Sequence, residues 1–180
     1  MKIFYLGLPR CGSTSLAKAL NILGFKSLRY QTEDNVVFQD VLKENIKNDD
    51  DPLKGFEEYD AFLEFRGYNY IHTLIKAYPD AKFIASTRDY DSWLESVKNH
   101  HRPRGLLETD QYYADLYEEA SENIQLMIDA EYDNFLHFDY TKNRWNQLCA
   151  FLNKPFPVGV KYPHYRKSKK IDETEYDIVI

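Results

Sequence analysis

The sequence predicts an α/β protein: one three-layer α/β/α domain, residues 1–180, around a central parallel sheet. Three observations predict it. Short apolar runs at 3–6, 61–65, 81–86 and 135–138 alternate with stretches of helical period, and βα alternation with right-handed crossovers lays such strands on one sheet. The first run is apolar without interruption, as strands covered on both faces are. A chain of 180 residues is long enough to bury ~70% of its unfolded surface around a single core.

The elements follow in order. Residues 3–6 form a strand that runs into the glycine-bounded stretch Gly7-Leu8-Pro9-Arg10-Cys11-Gly12-Ser13-Thr14-Ser15. Leu16, Leu20 and Leu23 then fall at i, i+4 and i+7, one face of a helix, with Gly24 placed to end it in the left-handed conformation. Residues 25–30 give a mixed signal, and 33–47 carry a weaker helical pattern in Val36, Val37, Val41, Leu42 and Ile46. The like-charged run 48–52, closed by Pro52, reads as a solvated loop rather than a metal site.

A second strand at 61–65 precedes a helix with Ile71, Leu74, Ile75 and Tyr78 on one face, stopped by Pro79. After the strand 81–86, Asp89 or Asp91 can cap a helix carrying Trp93, Leu94 and Val97. Residues 100–105 have no hydrophobic period, concentrate positive charge and contain Pro103 and Gly105, so they read as a loop able to serve as a lid. A helix over 109–130 follows, with Leu116, Ala120, Ile124 and Met127 inward, then a strand at 135–138. Thr141 is placed to cap a last helix with the stripe Trp145, Leu148, Cys149 and Leu152. From Lys154 the chain holds three prolines and then the basic run 166–170, a tail of about 154–180 expected to cover the site.

Composition excludes several classes. Hydrophobic residues make up 43% and charged residues 29%, ordinary for a globular chain. The net charge of −6 argues against generic duplex binding, which needs a basic face to displace counterions, so no nucleic-acid partner is expected. Two cysteines make no disulfide framework, and no apolar run approaches the ~20 residues that span a bilayer. A cytoplasmic protein without a membrane partner is the expectation; oligomeric state is not legible.

Chemistry concentrates in the first loop. A strand, a glycine-bounded turn and a helix start aim backbone N–H groups at one spot, with the positive helix end behind them; that spot wants an anion. Gly7 and Gly12 have the spacing of the nucleotide-binding P-loop, G-x-x-x-x-G-K-[ST], and the fold expected is P-loop NTPase-like, but Ser13 stands where the lysine would reach the β- and γ-phosphates. Arg10 supplies a cation from inside the loop instead. Cys11 invites a phosphatase reading through a low-pKa thiolate. The arginine that reaction needs six residues later is Ala17.

The second constellation is 87–96, at the carboxyl end of the third strand, the edge where open parallel sheets bind ligands. Arg88 and Ser96 are eight apart, just over two helical turns, so a guanidinium and a hydroxyl can hold one phosphate. Standing alone, the same residues read as an Arg88–Asp surface pair and a solvated serine.

Together the two stretches resemble the 3′-phosphoadenosine 5′-phosphosulfate (PAPS)-dependent sulfotransferases, in the small bacterial-type branch. Pro9, Arg10, Cys11, Gly12, Ser13, Thr14 and Ser15 match the family's first loop, and Arg88 and Ser96 its arginine and serine eight residues on. The Trp-x-x-Leu-Cys-x-Phe-Leu stretch from Trp145 and the prolines Pro155, Pro157 and Pro163 match its carboxyl end.

The resemblance implies that the loop holds the 5′-phosphosulfate while Arg88 and Ser96 hold the 3′-phosphate, with no metal required. Arg10 would stabilise the bridging oxygen as its bond to sulfur breaks. Arg166 and Lys167 are similar to a basic pair that closes over the 3′-phosphate, although Ser168 replaces the glycine expected next. The catalytic base implied is Glu64, at the end of the second strand, which on its own reads equally as an alternating polar residue. His100 and His101 are alternative bases, and Asp60 a further one at the wrong edge of the sheet.

The implied reaction moves a sulfuryl group to a hydroxyl or amine of a small-molecule or glycan acceptor, whose specificity would lie in 25–58 and 100–112. A P-loop kinase of a nucleoside or small metabolite is the alternative enzyme. A catalytically inactive sulfotransferase-like nucleotide-binding protein is the alternative of another class.

Overall fold

The computed structural model describes residues 1–142 and 144–164. Among the described residues, five strands form one all-parallel sheet: β1 (Ile3–Tyr5), β2 (Ser27–Arg29), β3 (Ala61–Leu63), β4 (Lys82–Ala85) and β5 (Phe135–His137), in the spatial order β2-β3-β1-β4-β5. The helices are α1 (Ser13–Ile22), α2 (Phe38–Lys47), α3 (Ile71–Ala77), α4 (Tyr90–His101), α5 (Asp110–Asp129) and α6 (Arg144–Leu152). The strand that feeds the glycine loop is central.

Side chains alternate across a strand, and β1 divides its apolar residues accordingly. Phe4 and Leu6 enter one core with residues of α2, α3, α4 and α5, while Ile3 and Tyr5 enter a second with α1 and α6. Helices on both faces of a parallel sheet give the three layers expected. Phe4 sits between Phe62 and Phe83, ring centroids 5.5 and 5.6 Å away, and each phenyl ring so buried contributes about 1.5–3 kcal/mol.

Local signals held where the chemistry was local. Gly24 has φ 87; its N–H bonds the Asn21 carbonyl and the Phe25 N–H bonds that of Leu20, a Schellman end for α1. Asp89 caps α4 by accepting the Ser92 N–H at 2.9 Å, which holds its carboxyl below the usual range. The 48–52 run is a surface turn in which Asp51 accepts from the Leu53 N–H and Tyr78 hydroxyl and Asp50 pairs with Lys54.

Four expectations change. The mixed stretch 25–30 contains the edge strand β2, and α2 starts only at Phe38, after a turn closed by a Gln31–Val37 bridge. Residues 100–105 are not a loop: α4 runs through His101, and Arg102–Arg104 form a 3-10 turn capped by Gly105 at φ 66. Pro103 lies in the first positions of that turn, where a missing amide costs little. Thr141 lies three residues before α6 and donates to Asp139, so it is spent on a turn. Among the described residues no helix is long and apolar enough to cross a membrane.

Candidate functional site

The loop between β1 and α1 is shaped by close packing beneath it. A Cβ on Gly7 would lie 2.3 Å from the Tyr5 Oη and 2.9 Å from the Ser86 carbonyl oxygen, so only glycine fits. Leu8, Pro9, Arg10 and Cys11 form a turn closed by the Cys11 N–H on the Leu8 carbonyl at 3.3 Å. Its third residue, Arg10, has φ 69, where a type II turn favours glycine. Gly12, at φ 90, is the N-cap of α1 and brings no side chain to accept first-turn amides. That leaves the amides of the helix start for an anion.

The loop meets part of the second constellation. Arg10 Nε donates to Ser96 Oγ at 3.4 Å, joining the first constellation to the second. The guanidiniums of Arg88 and Arg10 act electrostatically on Cys11, and that of Arg88 also on Tyr140, whose side chain lies 3.8 Å from the position of a Gly12 Cβ. Pro9 is exposed, and Thr14 and Ser15 are half-buried in the first turn of α1.

Ser13, in the lysine position, is buried and donates to Glu64 Oε1 at 2.5 Å. Glu64 follows β3 directly, at φ 64, so a non-glycine backbone in the left-handed region aims its carboxylate back at the loop. Strain of this kind in a site costs on the order of 1–3 kcal/mol. Arg29, from the end of β2, donates through one Nη to both Glu64 oxygens, at 2.8 and 3.0 Å. Sequence reasoning missed Arg29; the signal lay in the register, since Arg29 pairs with Leu63, the residue before Glu64.

Cys11 is held as a buried thiol, not as an exposed thiolate. It is 1% exposed, and burial pushes its thiol up to about 12 against the pull of Arg88 and Arg10, the reverse of a reactive thiolate. His100 and His101 lie in the last turn of α4, where His101 Nδ1 is 2.9 Å from the Tyr113 hydroxyl and Arg104 bonds the His100 carbonyl. Asp60 precedes β3 and accepts the Lys26 N–H, at the amino edge of the sheet as expected. Arg166 and Lys167, with the rest of 165–180, lie outside the described residues; 154–164 pack along α6, Trp145 Nε1 donating to Val160.

Beside the site, a groove of about 1160 Å³ runs between α1 and the edge strand β2, from Thr14 and Arg29 to Glu58 and Tyr59. Among the described residues no group of His, Cys, Asp or Glu is arranged to hold a metal ion.

A central β-strand that ends in a glycine loop, with an uncapped helix behind it, defines a P-loop-like α/β protein. The chain belongs to the sulfotransferase domain family, which it matches over residues 2–107 and 100–171. A relative from Aspergillus versicolor, Ava biosynthesis cluster protein M, is 31% identical over 110 residues, 55% of this chain. The match takes in 42% of that relative's length. Among solved structures, the sulfotransferase domain from the curacin biosynthetic pathway superposes with a TM-score of 0.53 at 17% identity, covering 87% of this chain and 75% of that one, a likeness of fold.

Proposed function

We propose that the protein is a PAPS-dependent sulfotransferase acting on a hydroxyl or amine of a small-molecule or glycan acceptor. The observation that carries the reading is that one loop touches both proposed ends of the site. Arg10 reaches Ser96, and Ser13 reaches Glu64. The glycine cradle and uncapped α1 start suit a 5′-phosphosulfate, and the family resemblance assigns the 3′-phosphate to Arg88 and Ser96. When bound, PAPS supplies an activated sulfuryl group, whose bond from sulfur to the bridging oxygen is the one that breaks.

The chain's own residues then divide the work. Arg10 stabilises negative charge growing on the bridging oxygen, a contribution that exists only as the bond breaks. Glu64 takes the acceptor's proton on a carboxylate oxygen, while Arg29 and Ser13 fix its direction. Ser13 leaves room and charge balance for a ligand without a γ-phosphate. Thr14 and Arg29 line the groove between α1 and β2 beside this cluster, and that groove is the proposed route for the acceptor.

The test is thermal unfolding with 3′-phosphoadenosine 5′-phosphate (PAP), with ATP plus Mg²⁺, and with neither. A ligand at a hundred times its Kd adds ~2.7 kcal/mol. Stabilisation by PAP, lost in Arg88→Ala, supports the reading; stabilisation by ATP–Mg²⁺ alone overturns it in favour of a kinase.

A further inference from the structure

Two carbonyls of the anion loop are turned into the protein and held there. Trp93, fully buried on α4, donates its indole N–H to the Pro9 carbonyl at 3.0 Å. The Tyr5 and Ser86 hydroxyls both donate to the Cys11 carbonyl, at 3.0 and 2.5 Å, and lie 2.7 Å from each other. All three donors are at most 2% exposed, and they come from β1, the residue after β4 and α4.

In a planar trans peptide the C=O of one residue and the N–H of the next point in opposite directions, and among the described residues none of the peptide bonds is cis. A Pro9 carbonyl held inward therefore sends the Arg10 N–H outward, and a Cys11 carbonyl held inward sends the Gly12 N–H outward. The same flips demand the left-handed backbone seen at Arg10 and Gly12.

We infer that Trp93, Tyr5 and Ser86 are positioning residues that set the anion loop's amides toward the 5′ group of the ligand, a role that rests on the loop being the 5′-phosphosulfate site. Trp93 carries a second consequence. It lies on α4 between the Asp89 cap and Ser96, so one helix presents the proposed 3′-phosphate serine and braces the 5′ loop.

The chain has two tryptophans, so Trp145→Phe leaves Trp93 as the only one. In that variant PAP is expected to change tryptophan emission saturably; a flat titration alongside calorimetric binding overturns the coupling. Trp93→Phe is expected to weaken PAP about tenfold, the worth of one hydrogen bond, while 3′-AMP, which lacks the 5′ group, changes by less than about twofold. Equal losses for both nucleotides mean a merely structural role and overturn the inference.

Tyr5→Phe combined with Ser86→Ala gives the same selective loss if Trp93→Phe does not fold. Wild-type protein that fails to bind PAP refutes the cofactor reading instead. Inorganic pyrophosphate then decides the positioning role: unchanged affinity in Trp93→Phe overturns it, and a tenfold loss upholds it.

Discussion

Ser13 Oγ and Glu64 Oε1 lie 2.5 Å apart, a hydrogen bond across 51 residues that ties the start of α1 to the end of β3. Glu64→Gln keeps the shape, and its Oε1 can still accept from Ser13 and Arg29 although its Nε2 loses the second Arg29 contact, so the fold and PAP affinity are expected to hold. Release of PAP from PAPS in the presence of phenol, sugar or amine acceptors is expected to fall by ~10² or more, the usual worth of a general base. Unchanged turnover would move the base elsewhere or mark the chain as a binding protein.

Arg10 combines a charge with an unfavourable backbone. Arg10→Ala and Arg10→Gly both remove the guanidinium, so both are expected to reduce turnover more than PAP affinity. They differ in stability. At φ 69 alanine keeps the left-handed penalty and glycine does not, so urea denaturation should place the glycine variant about 1 kcal/mol above the alanine variant. Equal midpoints would mean that the turn relaxes when the arginine is lost.

Two glycines of the loop are required for different reasons. An added Cβ at Gly7 meets Tyr5 and backbone at 2.9 Å or closer, in a packed interior that cannot yield. At Gly12 the nearest atom is 3.8 Å away, and only φ 90 opposes a side chain. Gly7→Ala is therefore expected to cost about 3 kcal/mol or more and Gly12→Ala about 1–2 kcal/mol, read from denaturant midpoints at constant slope. The reverse order would mean that Tyr5 swings aside freely.

The central strands and both loop constellations were legible because their signals are local: apolar runs, glycine spacing, an aspartate three residues before the amide it caps. What escaped was relational. β2 is three residues, Ser27, Leu28 and Arg29, with only Leu28 buried, and an edge strand this short has no period to read. Without β2 there is no register, and without register Arg29 cannot be placed beside Glu64. Residues 100–105 misled because proline and glycine usually punctuate a helix; here they shape the 3-10 turn that ends one. Trp93 looked like core, which it is, and only the fold shows that its N–H reaches Pro9.

Cys11 gives the clearest dependence on pH. Burial raises its thiol to about 12, whereas an unfolded cysteine titrates near ~8.5. Between those values the unfolded chain has released a proton that the folded chain keeps, so the unfolded state binds fewer protons and stability falls as pH rises. The contribution is fully present below about 8.5 and declines toward 12, by at most about 1.4 kcal/mol per pH unit. Buried tyrosines, Tyr5 among them, are raised as well and add to the alkaline loss, so the decisive comparison is with Cys11→Ala, whose urea midpoint should fall less steeply between pH 9 and 11. Iodoacetamide at pH 8 should leave Cys11 unmodified by mass spectrometry until the protein is unfolded. Rapid labelling of the native chain would mean an open loop and an ionised thiol, and would reopen the nucleophile that burial here closes.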